Sequence, residues 1–335
     1  MEALELMVTG FTRREILAAF LGLPAALAAC KYAGKTHRLP EGEIVGASDA
    51  FGHKFRDGFR PQPSQENWKN VEVVIVGGGV AGLSAAWRLK RSGFDNFVIL
   101  ELESVPGGTA RSGESKIAAY PWGAHYIPAP SKENPALVSL LDEMGVLDGR
   151  TTDGDPVVAE QYICRDPEER IFYLGHWYEG LYLRAGASPD DIRQYDLFQK
   201  EVTKWVTWRD ARGRRAFAIP VAYGSDDAEV TALDKISMAK WMDDHGFTST
   251  RLRWLVDYAC RDDYGSILKD TSAWAGLFYF ASRVPKQGAD AEPLITWPEG
   301  NGRLVKHLYS KVGDRSQLGF AASEISPTEK NGKAG

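Results

Sequence analysis

Residues 71–82 read VEVVIVGGGVAG, and most of the chain's architecture can be worked out from this stretch. Its first six residues are largely β-branched and apolar, which is typical of a strand that is buried on both faces. A G-x-G-x-x-G loop follows, then apolar residues at helical spacing, then a second apolar strand over residues 97–100 that ends at Glu101. A strand, a glycine loop, a helix, a second strand and a terminal acid together predict a dinucleotide-binding βαβ unit on a parallel sheet.

Each residue of this motif has a physical role. Gly77 permits the tight turn out of the strand, Gly79 lets the backbone approach a pyrophosphate, and Gly82 lets the helix lie against the sheet. The helix N-terminus offers unpaired N–H groups and the positive end of its dipole to the phosphates. Glu101 is expected to accept hydrogen bonds from ribose hydroxyls, and its charge disfavours a cofactor with a 2′-phosphate.

The composition of the chain excludes several classes of protein. Its 335 residues include 40 Lys and Arg against 45 Asp and Glu, for a formal net charge of −5. Without a basic excess to neutralise phosphates, a nucleic-acid partner is not expected. The three cysteines cannot form a disulfide framework and no metal-ligand spacing occurs, so we predict no bound metal. No run of eighteen apolar residues is present, which argues against a conventional membrane span.

The first thirty residues predict an export signal. Arg13-Arg14 precede an apolar stretch over residues 16–29 that is too short for a membrane span and ends in small residues. Paired arginines in that position are typical of a twin-arginine signal, and the closing LAAC resembles a bacterial lipobox. We therefore predict a signal peptide over residues 1–29, lipidation of Cys30, and a periplasmic or cell-surface protein anchored to a membrane. The alternative is an N-terminal amphipathic helix with a buried cysteine.

The residues after Glu101 distinguish between cofactors. Five residues separate it from Gly107-Gly108, and in this part the chain resembles the flavin-containing amine oxidase and phytoene desaturase superfamily. The resemblance implies that FAD is the cofactor and that Gly107, Gly108 and a nearby arginine wrap its phosphates. In the amine oxidases an arginine directly follows the glycine pair. Here Thr109 stands in that place, and Arg111, two positions further on, is the candidate for the same role.

Two further stretches extend the resemblance. Residues 120–127, YPWGAHYI, are similar to a family segment that passes near the isoalloxazine ring. This implies that Gly123 and Ala124 contact the cofactor, and it makes His125 the candidate catalytic residue that faces the flavin or the substrate. Residues 297–304, WPEGNGRL, are similar to the stretch by which the family's chain returns to its FAD domain.

The resemblance also implies a domain organisation and an α/β fold class. We expect a tether and N-terminal extension over residues 30–69 and the first part of a Rossmann-like FAD domain over residues 70–130. A mostly helical substrate domain is inserted over residues 131–296, and residues 297–335 return to the FAD domain. Helix start signals between residues 131 and 313 occur at Asn134-Pro135, Ser188-Pro189, Asp234, Ser249, Ser272 and Gly302.

These features predict an exported, lipid-anchored, amine oxidase-like FAD-dependent oxidoreductase. It would oxidise a C–N or C–C bond in a small amine or apolar substrate by hydride transfer to the flavin. One alternative is an NAD-dependent dehydrogenase, which shares the strand, glycine loop and acid but has no need of Gly107-Gly108. A second is a non-catalytic surface protein that keeps a flavoprotein scaffold.

The C-terminal end predicts that the chain is incomplete. Residues 321–325 are expected to form a strand, and Asn331-Gly332 is a strong hairpin turn signal with only three residues after it. In the resembled family, later sequence supplies the motif that holds the ribityl chain and the flavin ring. We therefore expect the 335-residue chain to retain little or no FAD and to lack oxidase activity.

Overall fold

The computed structural model of the chain describes residues 46–62, 68–164, 169–283, 294–327, 329–330 and 333–334. The predicted signal peptide, Cys30 and the Asn331-Gly332 turn lie outside these residues. In chain order, the helices are α1 (Asp49–Arg56), α2 (Val80–Arg91), α3 (Pro135–Glu143), α4 (Pro189–Thr207), α5 (Ala228–Thr231), α6 (Met238–Asp244), α7 (Thr250–Tyr264), α8 (Ala273–Ala281) and α9 (Gly302–Val312). The strands are β1 (Val73–Val76), β2 (Phe97–Glu101), β3 (Ser112–Glu114), β4 (Ala119–Pro121), β5 (Tyr126–Pro128), β6 (Leu147–Arg150), β7 (Pro156–Val158), β8 (Ile163–Cys164), β9 (Arg170–Tyr173), β10 (His176–Glu179), β11 (Leu294–Thr296), β12 (Ser316–Leu318), β13 (Glu329–Lys330) and β14 (Lys333–Ala334).

A parallel three-stranded sheet in the order β1-β2-β12 carries the glycine loop. Ile99 in β2 aligns with Ile75 of β1 on one side and with Ser316 of β12 on the other. Helix α2 connects β1 to β2, so the predicted βαβ unit and the Rossmann-like α/β fold class are confirmed. The expectation that β1 is buried on both faces is wrong. It lies at the edge of this sheet, and Val74 and Val76 on its second face are 49% and 55% exposed.

Two hydrophobic cores stabilise the described residues. The first surrounds the parallel sheet and joins α2, α3 and α9, with Leu83, Ile99, Leu141 and Leu308 fully buried. The second lies among the helices between Tyr182 and Ala281 and is rich in aromatic side chains. Within the described ranges, no helix is both long enough and apolar enough to cross a membrane.

Most of the predicted helix starts are confirmed. Asn134 and Ser249 accept hydrogen bonds from backbone N–H groups at the starts of α3 and α7, and Ser188 forms a capping box with Asp191 at the start of α4. The start predicted at Asp234 is wrong, because that residue lies in a 3-10 turn over Ala232–Lys235. Ser237 caps α6 instead by accepting from the backbone N–H of Lys240.

The strand expected over residues 321–325 is also wrong. Strand β12 ends at Leu318, and no described strand lies beside the residues that follow it. Backbone hydrogen bonds from Gly319 to Glu103 and from Phe320 to Glu101 close the pairing with β2 instead. On either side of the predicted turn, the two-residue strands β13 and β14 pair in antiparallel orientation, with Lys330 aligned with Lys333, so a short returning strand is present although only three residues follow the turn.

Glu143 at the end of α3 joins the three helices that cover the sheet. Its carboxylate accepts from the Trp87 indole and contacts Arg91, both on α2, and contacts His307 and Lys311 on α9, at distances of 2.9 to 3.2 Å. Burial raises the pKa of Glu143, but hydrogen bonds from Lys311, Trp87 and His307 outweigh it and hold the pKa below its ordinary value.

We expect Glu143→Gln to lower the free energy of unfolding by about 1 kcal/mol at pH 7, since the carboxylate is only partly exposed. A depressed carboxyl pKa stabilises the fold above the unfolded pKa of roughly 4.3, and this contribution is lost as the pH falls through the lower folded pKa. Urea unfolding at pH 7 and pH 3 measures the difference, with Asp142→Asn on the same helix as control. Equal losses at both pH values would contradict the prediction.

Candidate functional site

The loop between β1 and α2 leaves open space beside Gly79, the second glycine of the G-x-G-x-x-G motif. Gly77 has a φ of +102°, which favours glycine, and a Cβ at Gly82 would lie 2.0 Å from the carbonyl oxygen of Gly77. Gly79 differs from both, because its φ of −74° suits any residue and a Cβ there would meet only the Gly107 oxygen, at 4.0 Å. The backbone therefore requires Gly77 and Gly82, whereas Gly79 borders space that a ligand can fill.

A second glycine loop lies directly beside the first. Gly107 and Gly108 have φ values of +132° and +56°, and the Gly107 N–H donates to the Gly78 oxygen at 2.9 Å. Gly79 and Gly107 form a parallel bridge, and a Cβ at Gly108 would lie 3.6 Å from the Gly79 Cα. The two loops thus present adjoining bare backbone, next to the N-terminus of α2, which is an arrangement that suits phosphate oxygens.

Glu101 is held at the end of β2 beneath these loops. Its side chain is only 8% exposed, with Oε2 accepting from the Gly78 N–H at 2.6 Å and Oε1 accepting from the Glu103 N–H at 2.8 Å. A carboxylate has about four lone-pair sites, so these two charge-assisted bonds leave capacity for ribose hydroxyls. Two backbone N–H groups therefore fix the Glu101 carboxylate at the end of β2, where the sequence predicts a hydrogen-bond acceptor for the ribose.

Arg111 lies next to the second glycine loop. Its Cγ packs against Gly107, where an added Cβ would lie 2.8 Å from it, and its guanidinium sits over the Trp122 ring at 4.2 Å. The Trp122 Nε1 is buried without a hydrogen-bond partner. Arg111 is thus close enough to the loops for the role implied by the resemblance, although it stacks on an aromatic ring here.

The backbone of Thr109 holds the segment over residues 120–127 in place. The Thr109 carbonyl oxygen accepts from the Ala124 N–H at 3.0 Å, and a Cβ at Gly123 would lie 2.8 Å from that oxygen. His125 is exposed, with Nδ1 3.1 Å from the Gly123 oxygen. Gly123 and Ala124 therefore pack tightly, whereas the His125 ring faces solvent.

Asn301 joins this segment to the return stretch and was not predicted as a site residue. Its backbone N–H donates to the Ala124 oxygen at 3.1 Å, and its Nδ2 donates to the Tyr126 oxygen at 3.0 Å. The residue is 7% exposed, yet its Oδ1 has no partner. The sequence signal available for it was its place between two glycines in WPEGNGRL.

The two glycine loops, Glu101, Trp122 and Asn301 fit a dinucleotide such as FAD, which carries an adenosine at one end and a ring with polar edges at the other. Buried polar groups are normally hydrogen-bonded, and the Trp122 Nε1 donor and the Asn301 Oδ1 acceptor both lack partners beside residues 120–127. The two glycine loops contribute the open space at Gly79 and, beneath them, the carboxylate of Glu101. Among the described residues, no three His, Cys, Asp or Glu side chains are grouped so that they could hold a metal ion.

Comparison with known proteins supports the flavin assignment over the nicotinamide one. The family of the NAD(P)-binding Rossmann-like domain matches residues 75–144. Peroxisomal N(1)-acetyl-spermine/spermidine oxidase of Bos taurus is 45% identical over 80 residues, which cover 24% of this chain and 15% of the relative. A putative flavin-containing monoamine oxidase, AofH, of Mycobacterium tuberculosis is 26% identical over 266 residues, covering 76% of this chain and 51% of the relative.

A solved structure of putrescine oxidase bound to putrescine superposes with a TM-score of 0.50 at 18% identity, covering 74% of this chain and 51% of that one. The chain is similar to the flavin-containing amine oxidases. The resemblance predicted from the sequence is confirmed, the fold is that of these FAD enzymes, and the relatives point to FAD as the cofactor. The matches span about half of the relatives' length or less.

We expect Glu101→Ala to weaken binding of ADP, the adenosine half of FAD, by about 1–3 kcal/mol, the usual cost of losing a charged hydrogen-bond partner. The same change removes the acceptor of the buried Gly78 N–H, so some loss of thermal stability is expected as well. Isothermal titration calorimetry with ADP measures the first effect. Glu114→Ala, which removes an exposed carboxylate in β3, is the control. Unchanged ADP affinity in Glu101→Ala would remove Glu101 from the site.

Proposed function

We propose that the protein is an amine oxidase-like FAD-dependent oxidoreductase that oxidises a C–N or C–C bond. The observation that carries this proposal is the bridge between Gly79 and Gly107, which places two bare glycine loops side by side above the carboxylate of Glu101. A nicotinamide-dependent dehydrogenase needs the first loop and the acid but has no use for the second. FAD, when bound, supplies the hydride acceptor for the reaction.

The chain's own residues bind and orient the cofactor. The N-terminus of α2 holds the pyrophosphate, which the absence of side chains at Gly79 and Gly108 lets approach the backbone, and Glu101 accepts from the ribose. Trp122 and Asn301 offer a buried donor and a buried acceptor to the polar edge of the ring. His125 remains the candidate side chain for contact with the flavin or the substrate, because it is exposed in the same segment.

A small amine is the proposed class of substrate, in keeping with the names of the relatives. A cavity of about 530 Å³ begins at Pro128, three residues after His125, and continues past Leu137 to Ile219 and Ser282. Cavities of this volume suit small molecules. The Ser282 hydroxyl, which is buried without a hydrogen-bond partner, borders this cavity. Lys132, Asp153, Asp155 and Arg283 also line it, so the cavity combines apolar surface with charges of both signs.

The test of the proposed function is spectroscopic. The purified chain is incubated with excess FAD and its absorbance spectrum is recorded, and a panel of mono-, di- and polyamines is then screened anaerobically for loss of any flavin absorbance. Bleaching by an amine supports the oxidase. Binding of NAD⁺ with no affinity for FAD would support the dehydrogenase, and bound flavin that no substrate reduces would support the non-catalytic surface protein.

We further propose that the protein is exported by the twin-arginine route and anchored through lipid on Cys30, as the order of Arg13-Arg14, the apolar stretch and the LAAC end indicates. Replacing Cys30 by Ser is expected to move the exported protein from the membrane fraction to the soluble fraction, because the acyl chains are lost. Fractionation followed by immunoblotting measures this, with Cys164→Ser as control. Membrane association that is unchanged in Cys30→Ser would exclude the lipid anchor.

A further inference from the structure

The start of helix α1 is hydrogen-bonded to Glu103, next to Glu101 at the proposed ribose end of the site. The backbone N–H of Ser48, which caps α1, donates to Oε1 of Glu103 at 2.6 Å in a partly buried hydrogen bond. The N–H of Glu103 in turn donates to Glu101, the carboxylate proposed to accept from the ribose. The match to the NAD(P)-binding Rossmann-like domain begins at residue 75, in β1, so α1 precedes the matched residues.

One face of this helix is aromatic and uncovered. Phe51 and Phe55 are four residues apart in α1, which places them on one side of the helix, and Phe59 follows the end of the helix, after Gly58 with its φ of +91°. No residue of α1 is buried, and Phe51 and Phe59 are 39% and 53% exposed. The rings of Phe55 and Phe59 lie 6.1 Å apart between centroids. Exposed phenylalanines grouped in this way indicate a surface that binds something flat and apolar.

The charges near these rings suit a phosphate-bearing ligand. Lys54, Arg56 and Arg60 lie in the same short segment, and Lys54 sits over the Phe51 ring at 5.3 Å. The two glycine loops contain no cation, and the Arg111 guanidinium is stacked on Trp122. The segment over residues 48–60 therefore adds aromatic rings and positive charge to a site whose predicted residues include one arginine, Arg111.

We propose that residues 48–60 form an adenosine-binding strap, in which Phe55 and Phe59 stack on the adenine of the dinucleotide and the adjacent cations face its phosphates. The inference rests on the proposed function, because it requires the adenosine end of the cofactor to lie at Glu101. Ser48 and Glu103 fix the start of the strap at that end, and an eight-residue helix spans about 12 Å, enough to cross a nucleoside.

The test uses ADP as the probe and the whole 335-residue chain. The double variant Phe55→Ala/Phe59→Ala is expected to bind ADP about tenfold more weakly, as expected for loss of one base–aromatic stack. The control is Phe172→Ala, which removes an equally exposed phenylalanine (59%) from the distant strand β9. A second readout is trypsin cleavage after Lys54 and Arg56, which ADP is expected to slow in the parent chain only.

The outcomes separate the strap from the proposed function. If the parent binds ADP or FAD but the double variant binds ADP equally well, the strap is excluded while the cofactor site stands. If the parent binds neither, both inferences fail. Should the double variant instead change the oligomeric state, measured by light scattering, with ADP affinity intact, the phenylalanines belong to a contact between copies of the chain and the strap is again excluded.

Discussion

The variant Gly79→Val is expected to lose ADP and FAD affinity by about a hundredfold or more, the equivalent of roughly 2.7 kcal/mol, while it folds like the parent. The φ of −74° at Gly79 accepts a β-branched residue, and nothing in the protein lies closer to its Cβ than the Gly107 oxygen at 4.0 Å. The added methyl groups would therefore occupy the space proposed for the pyrophosphate rather than displace protein atoms. Titration calorimetry and thermal unfolding measure the two halves of the prediction.

Gly82→Ala is the matched contrast on the same loop. A Cβ there would lie 2.0 Å from the Gly77 oxygen, which is backbone and cannot move aside, so this smaller change is expected to reduce stability more than Gly79→Val does. If Gly79→Val binds ADP as the parent does, the ligand does not pass over this glycine and the assignment of the loop is wrong.

The second large effect is expected in the helical core. Phe198 on α4 is fully buried, and the rings of Trp241, Phe247 and Phe280 surround it edge-on at centroid distances of 5.1 to 6.3 Å. Phe198→Ala should lower the free energy of unfolding by about 3–5 kcal/mol, the range for a buried phenylalanine that leaves a cavity. Urea denaturation followed by tryptophan fluorescence measures the change.

Leu197→Ala, one residue away on the same helix, is the control because Leu197 is 39% exposed. Its cost is expected to stay well below that of Phe198→Ala. Below its melting temperature, Phe198→Ala should still bind ADP like the parent, since Phe198 belongs to a different core from the one around the sheet. A loss of stability no larger than that of Leu197→Ala would mean that this packing contributes little.

Local signals account for the parts of the fold that the sequence predicts correctly. Gly77, Gly79 and Gly82 follow a strand and open a helix, and each glycine acts through its immediate neighbours, so spacing alone was enough. Helix caps are less certain because several residue types can serve. Asp234 and Ser237 are both good cap residues, and only the 3-10 turn over Ala232–Lys235 selects the second.

Contacts between distant parts of the chain account for what the sequence did not predict. The bond from Ser48 to Glu103 joins residues 55 positions apart, and Asn301 reaches Tyr126 across 175 positions. Ser48 belongs to no motif identified in the sequence, and Asn301 lies in WPEGNGRL, but a single sequence carries no record of which residues meet. Strand β12 is not predicted for the same reason, since its position depends on pairing with β2 rather than on its own composition.

The sheet order β1-β2-β12 has a consequence for how the chain reaches its folded state. β2 is central to the sheet, yet its second neighbour is formed near the other end of the chain, and the nearby Lys90–Asp314 contact joins residues 224 positions apart. Closing so long a loop slows folding, because its entropic cost precedes the contacts that offset it. During synthesis, the open edge of β2 is therefore a surface on which two nascent chains can pair. A chaperone that shields β2 until residues 316–318 emerge would raise the yield of folded protein without touching the native state.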